Sequence, residues 1–150
     1  MTTVFDVPAE PLLQKVAADL RGKSDLKAPE WSPYVKTGRH RERPPVNPDW
    51  WHTRLAAVLR KVYVEGPIGT ERLAAFFGGR IDRGVKPSVA WSGSRAILRT
   101  ALQQLEEAGF LVTIKGKGRQ VTPAGRKLLD NHAHEVKQSL LARIPALAKY

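Results

Sequence analysis

The sequence predicts a mainly α-helical protein, a winged-helix-like helical domain around a long amphipathic helix, with one short β-hairpin. Apolar residues recur at helical spacing in several separate segments, and glycines stand where most of these segments end. The period changes to that of a strand only after Gly109. The resulting order of helix, short helix, long helix, hairpin and helix is that of a winged helix-turn-helix.

The first helix is predicted from Pro8 to Arg21. Asp6 is expected to cap its N-terminus, and Gly22 is expected to end it. One face carries the apolar residues Leu12, Leu13, Val16, Ala17 and Leu20.

Residues 22–48 are rich in Pro, Gly and charge, which indicates an ordered loop or a loosely helical connection. Trp31 and Tyr34 are expected to anchor it to the core. The whole chain is predicted to form a single domain, with a winged-helix core at about 47–138 and residues 1–46 packed on it.

The next helix is predicted over 48–64, because Asn47 is a favoured cap and proline suits the first turn. Its apolar face is formed by Trp51, Leu55, Val58, Leu59 and Val62. A short helix over 70–77 ends at two glycines, and residues 80–90 are expected to form a basic loop.

The long helix is predicted to start after Ser92 or Ser94 and to run to Ala108, with Ile97, Leu98, Ala101, Leu102 and Leu105 on one face. Strand-like residues at 110–115 and 119–122 flank a glycine turn and predict a hairpin with a basic tip. Thr122 is expected to cap a helix from Pro123 to about Ser139, followed by an apolar segment at 140–148.

The chain is strongly basic, with 25 Lys and Arg against 14 Asp and Glu and a net charge of +11. Residues 31–62 alone carry 7 basic and 2 acidic side chains. Such an excess favours a polyanionic partner, whose binding is driven largely by counterion release from phosphates. The chain has no cysteine, no apolar run long enough for a membrane span and no signal-peptide pattern, so we expect a cytoplasmic protein.

A cluster of cations lies between positions 36 and 43, where it indicates a phosphate clamp or, alternatively, a solvated surface loop. Its members are Lys36, Arg39, Arg41 and Arg43. Arg54 and Arg60 follow on the second helix. Contact with a ligand, a place on the polar face of an amphipathic helix and, for Arg54, a structural ion pair are all open interpretations.

The long helix, the loop before it and the hairpin add further candidates for nucleic-acid contact. Arg95 and Arg99 are four residues apart and share a helix face, which in winged helices often enters a groove. The loop and the wing contribute Arg80, Arg83, Lys86, Lys115, Lys117 and Arg119.

The residues predict no catalytic or metal site. The four histidines show no ligand spacing with a set of carboxylates, and no nucleophile, base and orienting group can be assembled. We therefore expect no enzyme activity and no cofactor.

Several strings in order resemble the archaeal and eukaryotic small-subunit ribosomal protein nineteen family, which is unrelated to the bacterial protein of that number. They include Pro29-Glu-Trp31, Trp50-Trp-His-Thr-Arg54, Leu59-Arg-Lys-Val-Tyr63, Gly66-Pro-Ile-Gly69, Gly78-Gly-Arg80, Arg83-Gly84, Gln103-Gln-Leu-Glu106 and Thr122-Pro-x-Gly125. The ordered set extends from about Val4 to Asp130. Two positions depart from the pattern, with Phe77 in place of the usual Tyr and Val89 in place of a frequent His.

The resemblance implies a structural protein in the head of the small subunit that binds ribosomal RNA and is needed for maturation of that subunit. It implies neighbouring ribosomal proteins as partners, no membrane and a monomer when unbound. The family's basic surface corresponds here to Arg54, Arg60 and Arg99, with Arg80 and Arg83 from the loop.

Two other functions remain open on the residues alone. A winged helix also suits a DNA-binding transcription regulator, which would normally dimerise and read half-sites. A basic face could instead bind an acidic protein.

Overall fold

The computed structural model describes residues 2–144, in which a 3₁₀ turn at Val4–Asp6 precedes the first helix. The helices are α1 (Ala9–Arg21), α2 (Trp50–Glu65), α3 (Thr70–Phe76), α4 (Arg95–Glu107) and α5 (Pro123–Arg143). Strands β1 (Gly79–Ile81) and β2 (Val89–Trp91) form one antiparallel pair, and β3 (Leu111–Ile114) and β4 (Gly118–Val121) form another. The prediction of a mainly α, winged-helix-like domain is confirmed. Of the predicted segment at 140–148, residues 145–148 lie outside the described part of the chain.

Helix α2 lies at the centre of the core. Its five predicted apolar residues are all buried, and α1, α4 and α5 contact it. The apolar stripe predicted for α4 is also buried along its length. Since burying one such side chain contributes about 1.5–3 kcal/mol, these two stripes account for much of what stabilises the fold.

A single residue before α3 pairs with the β3–β4 hairpin and completes the winged-helix arrangement. Ile68 and Arg119 exchange two backbone hydrogen bonds of 3.0 Å each, so Ile68 pairs with β4. The Arg119 side chain donates to Glu106 at 3.0 Å, which fastens the β3–β4 wing to the end of α4.

Two predicted helix starts differ from the structure. The Asp6 carboxylate accepts hydrogen bonds from the backbone N–H and the hydroxyl of Thr3, at 2.6 and 3.0 Å, and it does not cap α1. The side chain of Asn47 accepts from the N–H of Asp49 at 2.9 Å in a turn, and α2 begins after that turn at Trp50. In both places a tight local turn takes the side chain that could have capped a helix.

The other two predicted caps are confirmed. Ser94 accepts a long hydrogen bond of 3.5 Å from Ile97, and Thr122 accepts one of 3.2 Å from Gly125. Helix α5 runs four residues past its predicted end at Ser139, to Arg143.

Trp31 contributes to anchoring the connection between α1 and α2, whereas Tyr34 does not. Trp31 packs edge-on against Trp51 with ring centroids 5.6 Å apart, but Tyr34 is 87% exposed. Leu26, which is fully buried, is the apolar anchor that the sequence pattern did not identify. A single apolar residue in a polar segment has no periodicity, so its burial depends on tertiary contacts alone.

Several hydrogen bonds from α2 and α4 hold this connection in place. The indole of Trp50 donates to the carbonyl of Ser32 at 3.2 Å, and the ring of His52 lies 3.0 Å from the carbonyl of Leu26. Gln104 accepts from the Trp51 indole at 3.0 Å and donates to the carbonyl of Lys27 at 2.9 Å. These bonds satisfy polar groups that the burial of the tryptophans would otherwise leave unpaired.

The basic loop predicted over residues 80–90 is wrong in part, because its ends form the β1–β2 hairpin. Gly79 pairs with Trp91, Arg80 with Ala90 and Ile81 with Val89. Each strand has three residues, and all three residues of β2 are exposed. With neither length nor an alternating pattern, such strands leave no periodic trace in the sequence.

Candidate nucleic-acid interface

The basic segment 36–43 is held against the start of α4 and the β1–β2 hairpin. Gly38 forms an antiparallel bridge with Gly93, and the N–H of Ser94 donates to the carbonyl of Thr37 at 3.0 Å. The His40 ring packs against Gly38 and Gly79, where an added Cβ would lie only 2.7 and 3.1 Å from it. Glycine at both positions therefore allows the segment to approach the hairpin.

Cations from four parts of the chain line three adjoining depressions. The first is lined by Lys36, Arg39 and Arg95, the second by Arg41, Arg43 and Arg80, and the third by Arg41, Arg43 and Arg54. We refer to these seven residues as the basic face. The second and third depressions share Arg41 and Arg43, the segment 36–43 contributes to all three, and Glu42 and Asp82 also line the second. The seven cations, from positions up to 59 residues apart in sequence, outnumber these two carboxylates, which suits a ligand with several negative charges.

Two arginines of the basic face lie on aromatic rings. The guanidinium carbon of Arg54 is 4.5 Å from the centroid of Phe77, and that of Arg39 is 4.6 Å from the centroid of Trp91. Ring contacts of this kind orient a guanidinium and leave its N–H groups able to donate elsewhere. Within residues 2–144 neither arginine forms an ion pair.

Electrostatics at Arg54 and His40 indicate a positive potential. Burial lowers the pKa of Arg54 from its usual value, and the charge of Arg41 lowers it further. Burial also lowers the pKa of His40, with Arg41 and Arg54 adding to the effect. Burial is the larger cause at both groups, and the smaller contributions have the sign expected beside other positive charges.

Two of the predicted contact residues are ion-paired. Arg95 lies 2.7 Å from Glu71, and both side chains are well exposed. Arg119 lies 3.0 Å from Glu106 and is largely shielded from solvent. The pairing of Arg119 gives it a structural role, and its predicted contact with RNA stays a prediction.

The remaining predicted contacts lie outside the three depressions or at their margins. Arg99 is exposed on α4, Lys115 and Lys117 are exposed in the turn of the wing, and Arg83 and Lys86 are exposed between β1 and β2. Arg60 lines a neighbouring depression with Phe76 and Phe77, and the third depression adjoins it at Ala57.

Sequence reasoning missed the residues that position the arginines. Phe77 and Trp91 support guanidinium groups, and His40 fits between two glycines. The only sign of these supporting residues in the sequence is Trp91, which stands at the end of a polar segment, where a purely apolar role is unexpected.

Among residues 2–144 no three His, Cys, Asp or Glu side chains are placed to hold a metal ion. No helix in that part of the chain combines the length and the apolar character needed to cross a membrane.

The sequence profile of ribosomal protein S19e matches residues 3–139. The chain belongs to the ribosomal protein S19e family. This family consists of structural ribosomal proteins, so the resemblance seen in the sequence and the prediction of a non-enzyme are confirmed.

Relatives within the S19e family are similar over almost their whole length. "Small ribosomal subunit protein eS19" of Aeropyrum pernix is 43% identical over 152 aligned positions, covering 100% of this chain and 99% of the relative. The protein of the same name from Thermoplasma acidophilum is 41% identical over 150 residues, with the same coverage. A eukaryotic relative, "Small ribosomal subunit protein eS19B" of Schizosaccharomyces pombe, is 35% identical over 134 residues, covering 89% of this chain and 94% of the relative.

Proposed function

We propose that this S19e family member binds ribosomal RNA of the small subunit through the basic face and is needed for assembly of that subunit. In this proposal it is a component of the subunit head in the cytoplasm, contacts neighbouring ribosomal proteins and is a monomer when unbound. The observation that carries the proposal is Arg54, a half-buried guanidinium on an aromatic ring without a carboxylate partner among the described residues.

A phosphate group is the ligand that would complete this arrangement. The guanidinium fork matches phosphate oxygens and can donate two parallel hydrogen bonds to them. Arg41 and Arg43 line the same depression, so adjacent phosphates of one strand would each meet a cation. The contacts would be made to the backbone and shape of folded RNA, because the major groove of A-form RNA is too narrow for a helix.

The other predicted contacts extend the proposed surface. Arg60 borders it beyond Ala57, and Arg83 and Lys86 extend it along the β1–β2 hairpin. Arg99, Lys115, Lys117 and Arg119 are proposed as a second group of contacts on α4 and the wing.

A DNA-binding regulator fits these observations less well. Such a protein would rely on α4 and the wing, where Arg95 and Arg119 are already paired with Glu71 and Glu106. Within the part of the chain that the structure describes, Arg99, Lys115 and Lys117 form no ion pair either, but they lie outside the three depressions. The depressions are lined mainly by cations of the segment 36–43 together with Arg54.

RNA affinity and incorporation into subunits test the proposal. We expect Arg54→Gln, and separately Arg41→Gln at an exposed position, to weaken binding to small-subunit ribosomal RNA. Each should also make the fall of log K with log salt less steep. Each lost phosphate contact should reduce that slope by about 0.7–0.9. Arg143→Gln, at the exposed end of α5, removes the same charge away from the basic face and serves as the matched control.

The same variants should be depleted from small subunits in cells that depend on them, whereas Arg143→Gln should sediment normally. Circular dichroism checks folding. Because Arg41 is exposed, its substitution leaves the core intact even if Arg54→Gln disturbs packing on Phe77. Unchanged affinity and slope in both variants would contradict the proposal.

A further inference from the structure

An apolar groove lies beside the basic face. Trp31 and Tyr34 form one wall, Ala96 and Ile97 of α4 form the other, and Lys36 lies in its lining. We refer to it as the aromatic groove. Tyr34 is 87% exposed and Trp31 is 37% exposed. Two exposed aromatic rings in one turn are unusual, and the neighbouring Trp50 and Trp51 are both buried.

The groove is preorganised by the fold beneath it. The indole of Trp31 stands edge-on against the buried Trp51, with an angle of 89° between the ring planes. The N–H of Tyr34 donates to the carbonyl of Trp31 at 3.1 Å, so the two residues belong to one turn. The carbonyl of Ser32 inside this turn accepts from the Trp50 indole. A ligand would therefore meet aromatic side chains on a backbone that is already ordered, at a small cost in entropy.

The groove is continuous with the surface that carries the cations. Lys36 and Ser94 line both the aromatic groove and the depression that contains Arg39 and Arg95. The lining of the groove includes one cation and no acidic residue. Its occupant should therefore combine a flat apolar surface with negative charge a few ångströms away.

We propose that the aromatic groove takes an unpaired base of the RNA whose phosphates lie on the basic face. This inference rests on the proposed function and adds a preference for unpaired over fully paired RNA. Base stacking on aromatic side chains is tolerant of sequence, because every base has a π face. The adjoining cations hold the phosphates on either side of the extruded nucleotide.

Two RNA probes of equal phosphate number test the groove, an RNA hairpin with an unpaired loop and a blunt duplex. We expect Tyr34→Ala to weaken binding to the looped hairpin by roughly tenfold, the order given by loss of one stacked base. Binding to the duplex and the salt slope should stay unchanged, since no phosphate contact is removed. Tyr34→Trp should retain the affinity, and Phe5→Ala, which removes an exposed aromatic ring outside the groove, is the matched control.

A third probe isolates the base itself. In a looped hairpin whose loop nucleotides are abasic, the phosphates remain and the bases are lost, so Tyr34→Ala should have no further effect. Equal losses on all three probes, or no loss on the looped hairpin, would overturn the inference. Failure of the proposed function would look different. In that case Arg41→Gln and Arg54→Gln would leave the RNA affinity and its salt slope unchanged, whatever the effect of Tyr34→Ala. Tighter binding of an acidic peptide than of the looped hairpin in the same groove would also overturn it.

Discussion

Arginines of one chain acquire different roles from their immediate neighbours. Arg119 is held by a carboxylate at 3.0 Å, whereas Arg39 and Arg54 lie on aromatic rings. A paired guanidinium has its hydrogen-bonding groups partly used and its charge offset, while one on a ring retains both. At the scale of residues, the partner decides whether a cation stabilises the fold or is available to a ligand.

Glu106 provides a test at this scale. It accepts from the Thr113 hydroxyl at 2.5 Å and from Arg119 at 3.0 Å, and these hydrogen bonds lower its pKa below the usual 4.5, with Thr113 the larger cause. We expect Glu106→Gln to lower the free energy of unfolding at pH 7 by about 1 kcal/mol, since the side chains are only partly screened by solvent. Urea denaturation measures this, with the exposed Glu107→Gln as control.

The sign of the pH dependence follows from the lowered pKa. The carboxylate stabilises the fold above the pKa of the unfolded chain, near 4.5, and this stabilisation is lost as the pH falls through the lower pKa of the folded state. The difference between wild type and Glu106→Gln should therefore shrink below about pH 4.5. A difference that is constant from pH 7 to pH 3 would exclude this role.

At the scale of elements, helix termini connect the wing to the core. Thr122 caps α5 by accepting from Gly125 at 3.2 Å, and its hydroxyl donates to the carbonyl of Gly109 at 2.7 Å, just after α4. One hydroxyl thus joins the end of α4, the end of β4 and the start of α5. The position of the hairpin depends on this junction as well as on the pairing of β4 with Ile68.

Thr122→Ala should lower the free energy of unfolding by about 1–2 kcal/mol, because it removes an N-cap and leaves a carbonyl with one fewer donor. Thr122→Ser keeps both hydrogen bonds and should lose much less. Denaturant midpoints of the two variants make the comparison. Equal losses would show that the methyl group, and not the hydroxyl, stabilises the junction.

At the scale of the whole molecule, a net charge of +11 repels itself in the compact state. A polyanion that binds only the folded protein should relieve this repulsion and raise Tm. At an RNA concentration about 100 times Kd the stabilisation is about 2.7 kcal/mol, which corresponds to roughly 5–10 °C for a chain of this size.

Thermal unfolding with and without a small-subunit ribosomal RNA fragment measures this shift. In about 1 M salt the shift should disappear, because counterion release no longer favours the complex. Combined Arg41→Gln and Arg54→Gln substitutions should reduce the shift at low salt. An equal shift in that double variant would mean that the stabilisation comes from net charge and not from the basic face.

Much of the fold could be predicted because it is encoded locally. The buried faces of α2 and α4 repeat at helical spacing, and Ser94 and Thr122 mark helix starts through bonds to residues three positions ahead. The β1–β2 hairpin could not be predicted, since its strands are three residues long and its second strand is exposed. The exposure of Tyr34 could not be predicted either, because nothing in the local sequence separates it from Trp31, three residues before it, which packs on Trp51.

The sequence by itself determined the family, the excess of positive charge and the order of the helices, because these depend on ordered motifs, composition and local periodicity. Only the tertiary structure decided which cations act together. Arg39 meets Trp91, and Arg54 meets Phe77, across 52 and 23 positions of the chain. Arg119 meets Glu106 through the turn of the wing. Contacts between such distant positions depend on how the helices pack, and no short segment of the sequence contains that information.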